Sequence, residues 1–458
     1  MAHLYLSATH KSSGKTMLSI GLTRELRRRG RRVQPFKKGP DYIDPLWLSE
    51  SAGQSCLNLD YFTTPVGEIR ASFARQLRGA DVGVIEGNVG LFDSIDLHGA
   101  NSNAELAKLL QAPVVLVIDA RGMTRGVAPL LLGYQAFDPA LHIAGVILNK
   151  VGGGRHAGNL RRVVEHYTDI PVLGLVPRTP ALVVEERHLG LIPSNEAGQV
   201  EATIERARSV VAEHVDIERI EAVAAAAPLP QQPPQRNAPE PAARDPVVRI
   251  GIARDEAFGF YYPDDLAALE RAGAALVAFS PVHDAELPEV DALLLGGGFP
   301  ECRMRELEQN AGMRASVADF IAAGGPAYAE CGGLMYLAER LSWNGRVSQM
   351  CGVLEGEIGM HDRPQGRGYV RLQETDAFPW PAAPGAAREI NAHEFHHSAF
   401  LETDPSWVFA YRVLRGTGID GRHDGIVHNN LLASYSHLRD VGGVDWTDRF
   451  VNRIRSLV

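Results

Sequence analysis

Leu4-Tyr5-Leu6-Ser7-Ala8-Thr9-His10-Lys11-Ser12-Ser13-Gly14-Lys15-Thr16 is the stretch on which the fold turns. An apolar, strand-like run over Leu4–Ala8 leads into a polar loop, and an amphipathic segment, Lys15–Arg29, follows with Leu18, Ile20, Leu22 and Leu26 on or near one face. Strand, G-K-T loop and helix in this order is the setting a phosphate-binding loop requires. Backbone N–H groups of the loop and of the helix start point at phosphates. A lysine at position 15 reaches the β- and γ-phosphates, and a threonine hydroxyl at 16 ligates Mg2+. The first glycine of G-x-x-x-x-G-K-T would fall at Thr9, so the strict spacing is not met. The context nevertheless predicts ATP binding by Ser12, Ser13, Gly14, Lys15 and Thr16.

Outward from this loop the pattern alternates. Val33–Phe36, Asp81–Glu86, Pro113–Asp119, Ala144–Asn149 and Pro171–Val176 are short, β-branched, apolar runs separated by helix-length segments. Such alternation predicts an α/β domain with a mostly parallel sheet covered on both faces. In an open sheet of this kind a ligand lies beyond the carboxyl ends of the strands. Glu86, Asp119 and Asn149 fall there, and Asn149 is expected beside the nucleotide. Mg2+ takes oxygen ligands and one or two carboxylates. Glu86 at a strand end, and Asp44 in the Gly39-Pro40-Asp41-Tyr42-Ile43-Asp44-Pro45 loop, are expected to complete its shell with Thr16. Asp41 and Tyr42 of the same loop are expected to face the substrate, with Trp47 assigned equally to the substrate face or to the core.

The chain has 458 residues, 45% of them apolar and 22% charged, with a net charge of −9. This composition excludes a disordered chain or a small disulfide-stapled scaffold. The acidic balance argues against nucleic acid as a partner. Four cysteines, at 56, 302, 331 and 351, match neither zinc-pair nor disulfide spacing. The sequence does not open on a charged-then-apolar leader, and no run approaches about 18 apolar residues. A cytoplasmic protein with no membrane partner is expected. From 224 to 246 the chain reads AAAAPLPQQPPQRNAPEPAARDP, without hydrophobic periodicity. This predicts a Pro/Ala-rich linker between a domain at 1–223 and a second at 247–458. The second again alternates, with strands over Val247–Ala253, Ala275–Phe279 and Ala292–Leu295 and helices over Asp264–Ala272 and Arg314–Ala323.

That second domain carries Ala327-Tyr328-Ala329-Glu330-Cys331-Gly332-Gly333-Leu334, an A-x-C-x-G version of a nucleophile elbow. A helix start behind the thiol favours the thiolate. Leu295-Gly296-Gly297-Gly298-Phe299-Pro300-Glu301 ends another strand in glycines, and the N–H groups of Gly297 and Gly298 are expected to hold an oxyanion. Cys331 needs a base. His437, in Ala433-Ser434-Tyr435-Ser436-His437-Leu438, is preferred over His393, His396, His397 and His428. Cys56, Cys302 and Cys351 lack such a setting and are expected only to pack.

Taken together, these motifs resemble the cobyrinic acid a,c-diamide synthase family. The likeness spans nearly the whole chain and includes Glu86-Gly87 with Gly90-Leu91-Phe92-Asp93, Gly145-Val146-Ile147-Leu148-Asn149, Glu186-Arg187-His188-Leu189-Gly190-Leu191 and Glu330-Cys331-Gly332-Gly333. It implies an N-terminal dethiobiotin-synthetase-like P-loop domain and a C-terminal class I-type glutamine amidotransferase domain. It further implies ATP-, Mg2+- and glutamine-dependent amidation of two acetate arms of a tetrapyrrole polycarboxylate, cobyrinate or hydrogenobyrinate, in cobalamin biosynthesis. The branch that amidates sirohaem is the alternative, and a ParA-like regulatory ATPase with a vestigial thiol domain is a more distant one. Arg439 stands two residues after His437, where many class I amidotransferases carry a glutamate, so the third member of the thiol site is left open.

Overall fold

The computed structural model describes residues 1–183, 186–187, 190–196, 198–228, 248–381 and 389–458. Two compact units divide the chain, 1–236 and 237–458. The Pro/Ala-rich stretch lies outside the described residues from 229 onward, as does part of the 186–191 motif. Among the described residues, a helix ending at Ala225 still occupies the first two positions assigned to the linker.

In the first unit, β1 (Ala2–Ala8), β2 (Val33–Lys38), β3 (Leu57–Leu59), β4 (Val82–Glu86), β5 (Val114–Asp119), β6 (Ile143–Val151) and β7 (Val172–Pro177) form one sheet. Its order is β3-β2-β4-β1-β5-β6-β7, parallel throughout. The central strands are buried end to end, which is why they read as unbroken apolar runs. One face is covered by a core including Phe36, Phe73, Leu131 and Leu160. The other packs helix α1 (Lys15–Arg28) through Leu18, Leu22 and Leu26 beside Val211 and Ile220. β1 lies between β4 and β5, so the loop leaving β1 emerges among the carboxyl ends of both neighbours.

Asp44 is not in a loop: Ile43–Ala52 is a helix, α2, with Asp44 and Pro45 in its first turn. Proline is tolerated there because the first-turn N–H groups have no intrahelical partner. Asp41 accepts from the N–H groups of Ile43 and Asp44 at 3.0 and 3.1 Å and so caps the helix start. Trp47, on α2, is 1% exposed and donates its indole N–H to the Ile192 carbonyl at 2.9 Å. It is core, and no flat substrate can lie on its ring.

In the second unit, the strands Ala274–Phe279, Val248–Ala253, Ala292–Leu295, Ala327–Glu330 and Leu431–Ser434 run parallel in that order. His423–His428, Val408–Arg415, Gly366–Glu374 and Glu389–His396 continue the same sheet antiparallel. The second unit therefore does not simply repeat the first: four strands of its sheet run antiparallel, and Gly366–Glu374 pairs with Val408–Arg415 although they are not neighbours in the chain. The helix expected over Arg314–Ala323 begins earlier, at Ala311, where the Asn310 side chain accepts from the Met313 N–H. Among the described residues, no helix is long and apolar enough to cross a membrane.

Candidate active site

At the carboxyl end of the first sheet, the loop after β1 is braced from its neighbours. Ser13 Oγ donates to the His10 carbonyl at 2.8 Å. Asn149, near the end of β6, donates through Nδ2 to the Ser13 carbonyl at 2.8 Å, and Lys150 Nζ donates to the Ser12 carbonyl at 2.7 Å. Asn149 thus shapes the loop from behind. Ser12 holds φ at 61° and Gly14 at 87°, a reversal that turns the loop into the start of α1.

Lys15 Nζ and Thr16 Oγ1 both reach Glu86 Oε1, at 3.1 and 2.8 Å. Thr16 Oγ1 also lies 3.3 Å from Asp44 Oδ2. The three residues expected at the metal are therefore brought together. Sequence reading missed a fourth. Lys37, on β2, faces Glu86 across the β2–β4 ladder. Its Nζ lies 2.5 Å from Asp44, 3.1 Å from Glu86 and 3.6 Å from Asp41. Burial would strip its proton, but Asp44, Glu86 and Asp41 outweigh burial and hold the ammonium well above its ordinary range. Burial, reinforced by the Asp44 charge, raises Asp41 to about 6 against the pull of Lys37. Two lysines closing an apolar strand just before Gly39-Pro40 were the available signal. Lys38 is also buried, which lowers it to about 8.

The donor set fits Mg2+. Glu86 is fully buried, and its Oε2 has no hydrogen-bond partner among the described residues. A hydroxyl and two carboxylates leave the remaining octahedral positions to water and phosphate oxygens, which is how Mg2+ is commonly held. Among the described residues, no group of three or more His, Cys, Asp or Glu side chains is arranged to hold a metal by itself.

The second unit assembles the thiol site. Cys331 follows the strand Ala327–Glu330 directly, with φ at 47° and ψ at −96°, a strained conformation for a residue with a side chain. Its N–H donates to the Ser434 carbonyl at 2.7 Å, which ties the elbow to the strand leading to His437. The helix behind it starts flush against the glycine loop: a Cβ on Gly332 would lie 2.9 Å from the Gly298 nitrogen. A Cβ on Gly297 would lie 2.8 Å from His437 Cε1, so that glycine makes room for the imidazole. Tyr261, another residue missed in the sequence, anchors the loop by donating to the Ala253 carbonyl at 2.6 Å and accepting from the Gly296 N–H at 3.0 Å.

His437 is the histidine at the thiol. Burial pushes its ring down, yet hydrogen bonds to Cys331 and Glu330 and the Glu330 charge more than reverse this and raise it to about 10. Its Nδ1 lies 3.1 Å from Glu330 Oε2. The other candidate histidines are placed differently. His393 exchanges backbone hydrogen bonds with His437, and burial beside that ring keeps His393 neutral, at about 3. His396 stacks on Tyr435 at 3.8 Å, His397 Nδ1 pairs with the His361 carbonyl at 3.1 Å, and His428 is exposed. Arg439 is 2% exposed, pairs with Asp264 and lies 4.5 Å from the centre of the Tyr262 ring. It anchors the segment after His437. Cys56 is buried, and burial pushes Cys351 up to about 12.

Residues 6–191 match the CobQ/CobB/MinD/ParA nucleotide binding domain, and residues 249–440 match the CobB/CobQ-like glutamine amidotransferase domain. A cobyrinate a,c-diamide synthase of Magnetococcus marinus is 46% identical over 97% of this chain and 95% of its own length. Those of Methanosarcina acetivorans and Archaeoglobus fulgidus are each 41% identical, over 95% and 98% of this chain and 92% and 96% of their own.

Proposed function

The chain belongs to the cobyrinate a,c-diamide synthase family, and from that premise we propose that it converts the a and c acetate carboxylates of cobyrinate, or of hydrogenobyrinate, to amides in cobalamin biosynthesis, with ATP as co-substrate and glutamine as nitrogen donor. The observation that carries this reading is the pairing of His437 with Cys331 on a strained elbow, in a chain whose other unit braces a nucleotide loop against buried carboxylates. An assembled thiol pair argues against a vestigial one, and so against a purely regulatory ATPase.

In the glutaminase half, the protonated His437 ring faces the Cys331 sulfur, so the sulfur attacks the glutamine carboxamide as thiolate. The backbone N–H groups of the 297–298 segment and of Gly332 border the place where the oxyanion forms. His437 gives its proton to the departing nitrogen, ammonia leaves, and a thioester remains. The now neutral ring takes a proton from water, whose oxygen attacks the thioester, and glutamate is released. Thiolate and imidazolium are restored.

In the synthetase half, a substrate carboxylate attacks the γ-phosphorus of ATP, giving acyl phosphate and ADP, and ammonia then displaces phosphate. Lys15 and the loop N–H groups hold the phosphates and offset the charge that spreads over them. Thr16, Asp44 and Glu86 would hold Mg2+, which when bound neutralises phosphate charge. Lys37 keeps the same carboxylates compensated and in place. Asp41, whose carboxylate lies 3.6 Å from Lys37 Nζ, and its neighbour Tyr42 at the start of α2 would position the acetate arm, which must come within about 3–3.5 Å of the phosphorus.

The test is mass spectrometry of products from cobyrinate, hydrogenobyrinate and sirohaem, each incubated with ATP, Mg2+ and either glutamine or ammonia. Diamides of a corrin substrate with both nitrogen donors are expected. Amidation of sirohaem with no corrin product would replace this reading by the alternative.

A further inference from the structure

We propose that Glu330, the residue immediately before the nucleophile, is the positioning carboxylate of the thiol site: it holds His437 through Nδ1 so that the other edge of the ring faces the Cys331 sulfur. This rests on the reading of Cys331 and His437 as the glutaminase pair.

Both oxygens of Glu330 are committed. Oε2 accepts from His437 Nδ1 at 3.1 Å, while Oε1 accepts from the Leu438 N–H at 2.9 Å and from the Tyr328 hydroxyl at 2.5 Å. The carboxylate therefore grips the ring and the backbone of the next residue at once. Tyr328 is itself boxed by Trp380 and Trp446, with ring centres 5.1 and 5.2 Å away. A carboxylate held at both oxygens by buried groups cannot rotate away from the imidazole.

With Nδ1 fixed as a donor, Nε2 is the nitrogen left to exchange a proton with sulfur. Setting this tautomer is what the carboxylate of a nucleophile–histidine–acid site does. The other acids in the vicinity are occupied. Glu394 accepts from the Thr417 and Gly418 N–H groups at 2.7 and 2.8 Å. Asp424 accepts from those of Tyr435 and Ser436 at 3.0 and 2.9 Å. Position 439, two after the histidine, holds an arginine paired with Asp264.

Local geometry explains how adjacent residues serve opposite edges of one ring. Alternation along the strand puts Tyr328 and Glu330 on the same face. At Cys331 the chain reverses, with φ at 47°, and the thiol leaves in a new direction. The titratable groups facing His437 are then Cys331, Glu330 and His393, and burial keeps His393 uncharged at neutral pH.

The test compares wild type, C331S, Glu330→Gln and Tyr328→Phe in the full chain. Glu330→Gln keeps the shape but presents an amide to Nδ1, which favours the wrong tautomer. Glutaminase kcat should fall about 10²–10⁴-fold, with KM and ammonia-driven amidation within about 3-fold of wild type. Its alkaline limb should move to lower pH, since the charge supporting the imidazolium is gone. Glu330→Asp should recover part of the rate. Tyr328→Phe, which frees only one oxygen, should lower kcat several-fold with KM unchanged, and it decides the matter if Glu330→Gln does not fold. Wild-type kcat and pH profile in either folded variant, or loss of the ammonia-driven reaction in step with the glutaminase, overturns the assignment. If C331S retains glutaminase activity, the reading of the thiol pair fails instead.

Discussion

The ammonium of Lys37 lies 3.1 Å from Oε1 of Glu86, the same oxygen that accepts from Lys15 and Thr16. One carboxylate oxygen thus gathers two lysines and the threonine of the nucleotide loop. Removing Lys37 would leave Asp41, Asp44 and Glu86 facing one another with one cation fewer. Breaking a buried pair from one side costs about 3–5 kcal/mol. Lys37→Met should therefore lower Tm, and millimolar Mg2+ should restore more of that loss than it adds to wild type. Thermal scans with and without Mg2+ check this, and an equal Mg2+ response in both proteins would show that the carboxylates do not form the cation site.

Lys15→Ala should abolish amide formation with glutamine and with ammonia alike, because both donors share the activation step. Glutamine hydrolysis measured without tetrapyrrole should stay within about 3-fold of wild type, because Lys15 belongs to the unit that does not hold the thiol pair. ATP-dependent amide formation at a normal rate in this variant would refute the loop assignment.

Cys331→Ser should remove glutamine-driven synthesis and leave ammonia-driven synthesis intact. A hydroxyl is far less acidic than a thiol, so the attacking anion is lost while the synthetase unit is untouched. Quantifying amides with each donor distinguishes this from a general folding defect, which would depress both.

His437 titrates from an ordinary value near 6.5 in the unfolded chain to about 10 in the fold. The sign follows: its contribution to stability is fully present below about pH 6.5 and disappears as pH rises through about 10. The proton needed by departing ammonia is likewise available until then, so glutaminase kcat should hold across neutral pH and fall on an alkaline limb near 10. In Cys331→Ser the main raising contact is gone, and the His437 Cε1–H chemical shift should titrate at lower pH than in wild type. Identical titrations would separate the ring from the thiol.

Tyr42→Ala should slow amidation or halt it after the first amide, with glutaminase unaffected. Product analysis over time reads this directly. An unchanged time course would remove the start of α2 from the substrate site.

Much of this protein is legible locally. A buried parallel strand reads as an unbroken apolar run, and the loop after β1 carries its own instructions in Gly14, Lys15 and Thr16, so the fold of the first unit and its nucleotide loop follow from short stretches. Cys331 likewise announces itself, because the small residues at 329 and 333 are what a tight elbow requires. Other features are decided at long range. Five histidines competed for the thiol, and only the pairing of Ala327–Glu330 with Leu431–Ser434 brings His437 to it. Glu330 lies 107 residues from the ring it holds. Lys37 gained its meaning from its register opposite Glu86, and Trp47 was assigned to the core by a carbonyl 145 residues away. Sequence alone determined which chemistry is carried, since residue type and local turn geometry travel together. The tertiary structure decided which residues act together, because strand register and burial, not spacing along the chain, set the few ångströms within which a proton or a charge is felt.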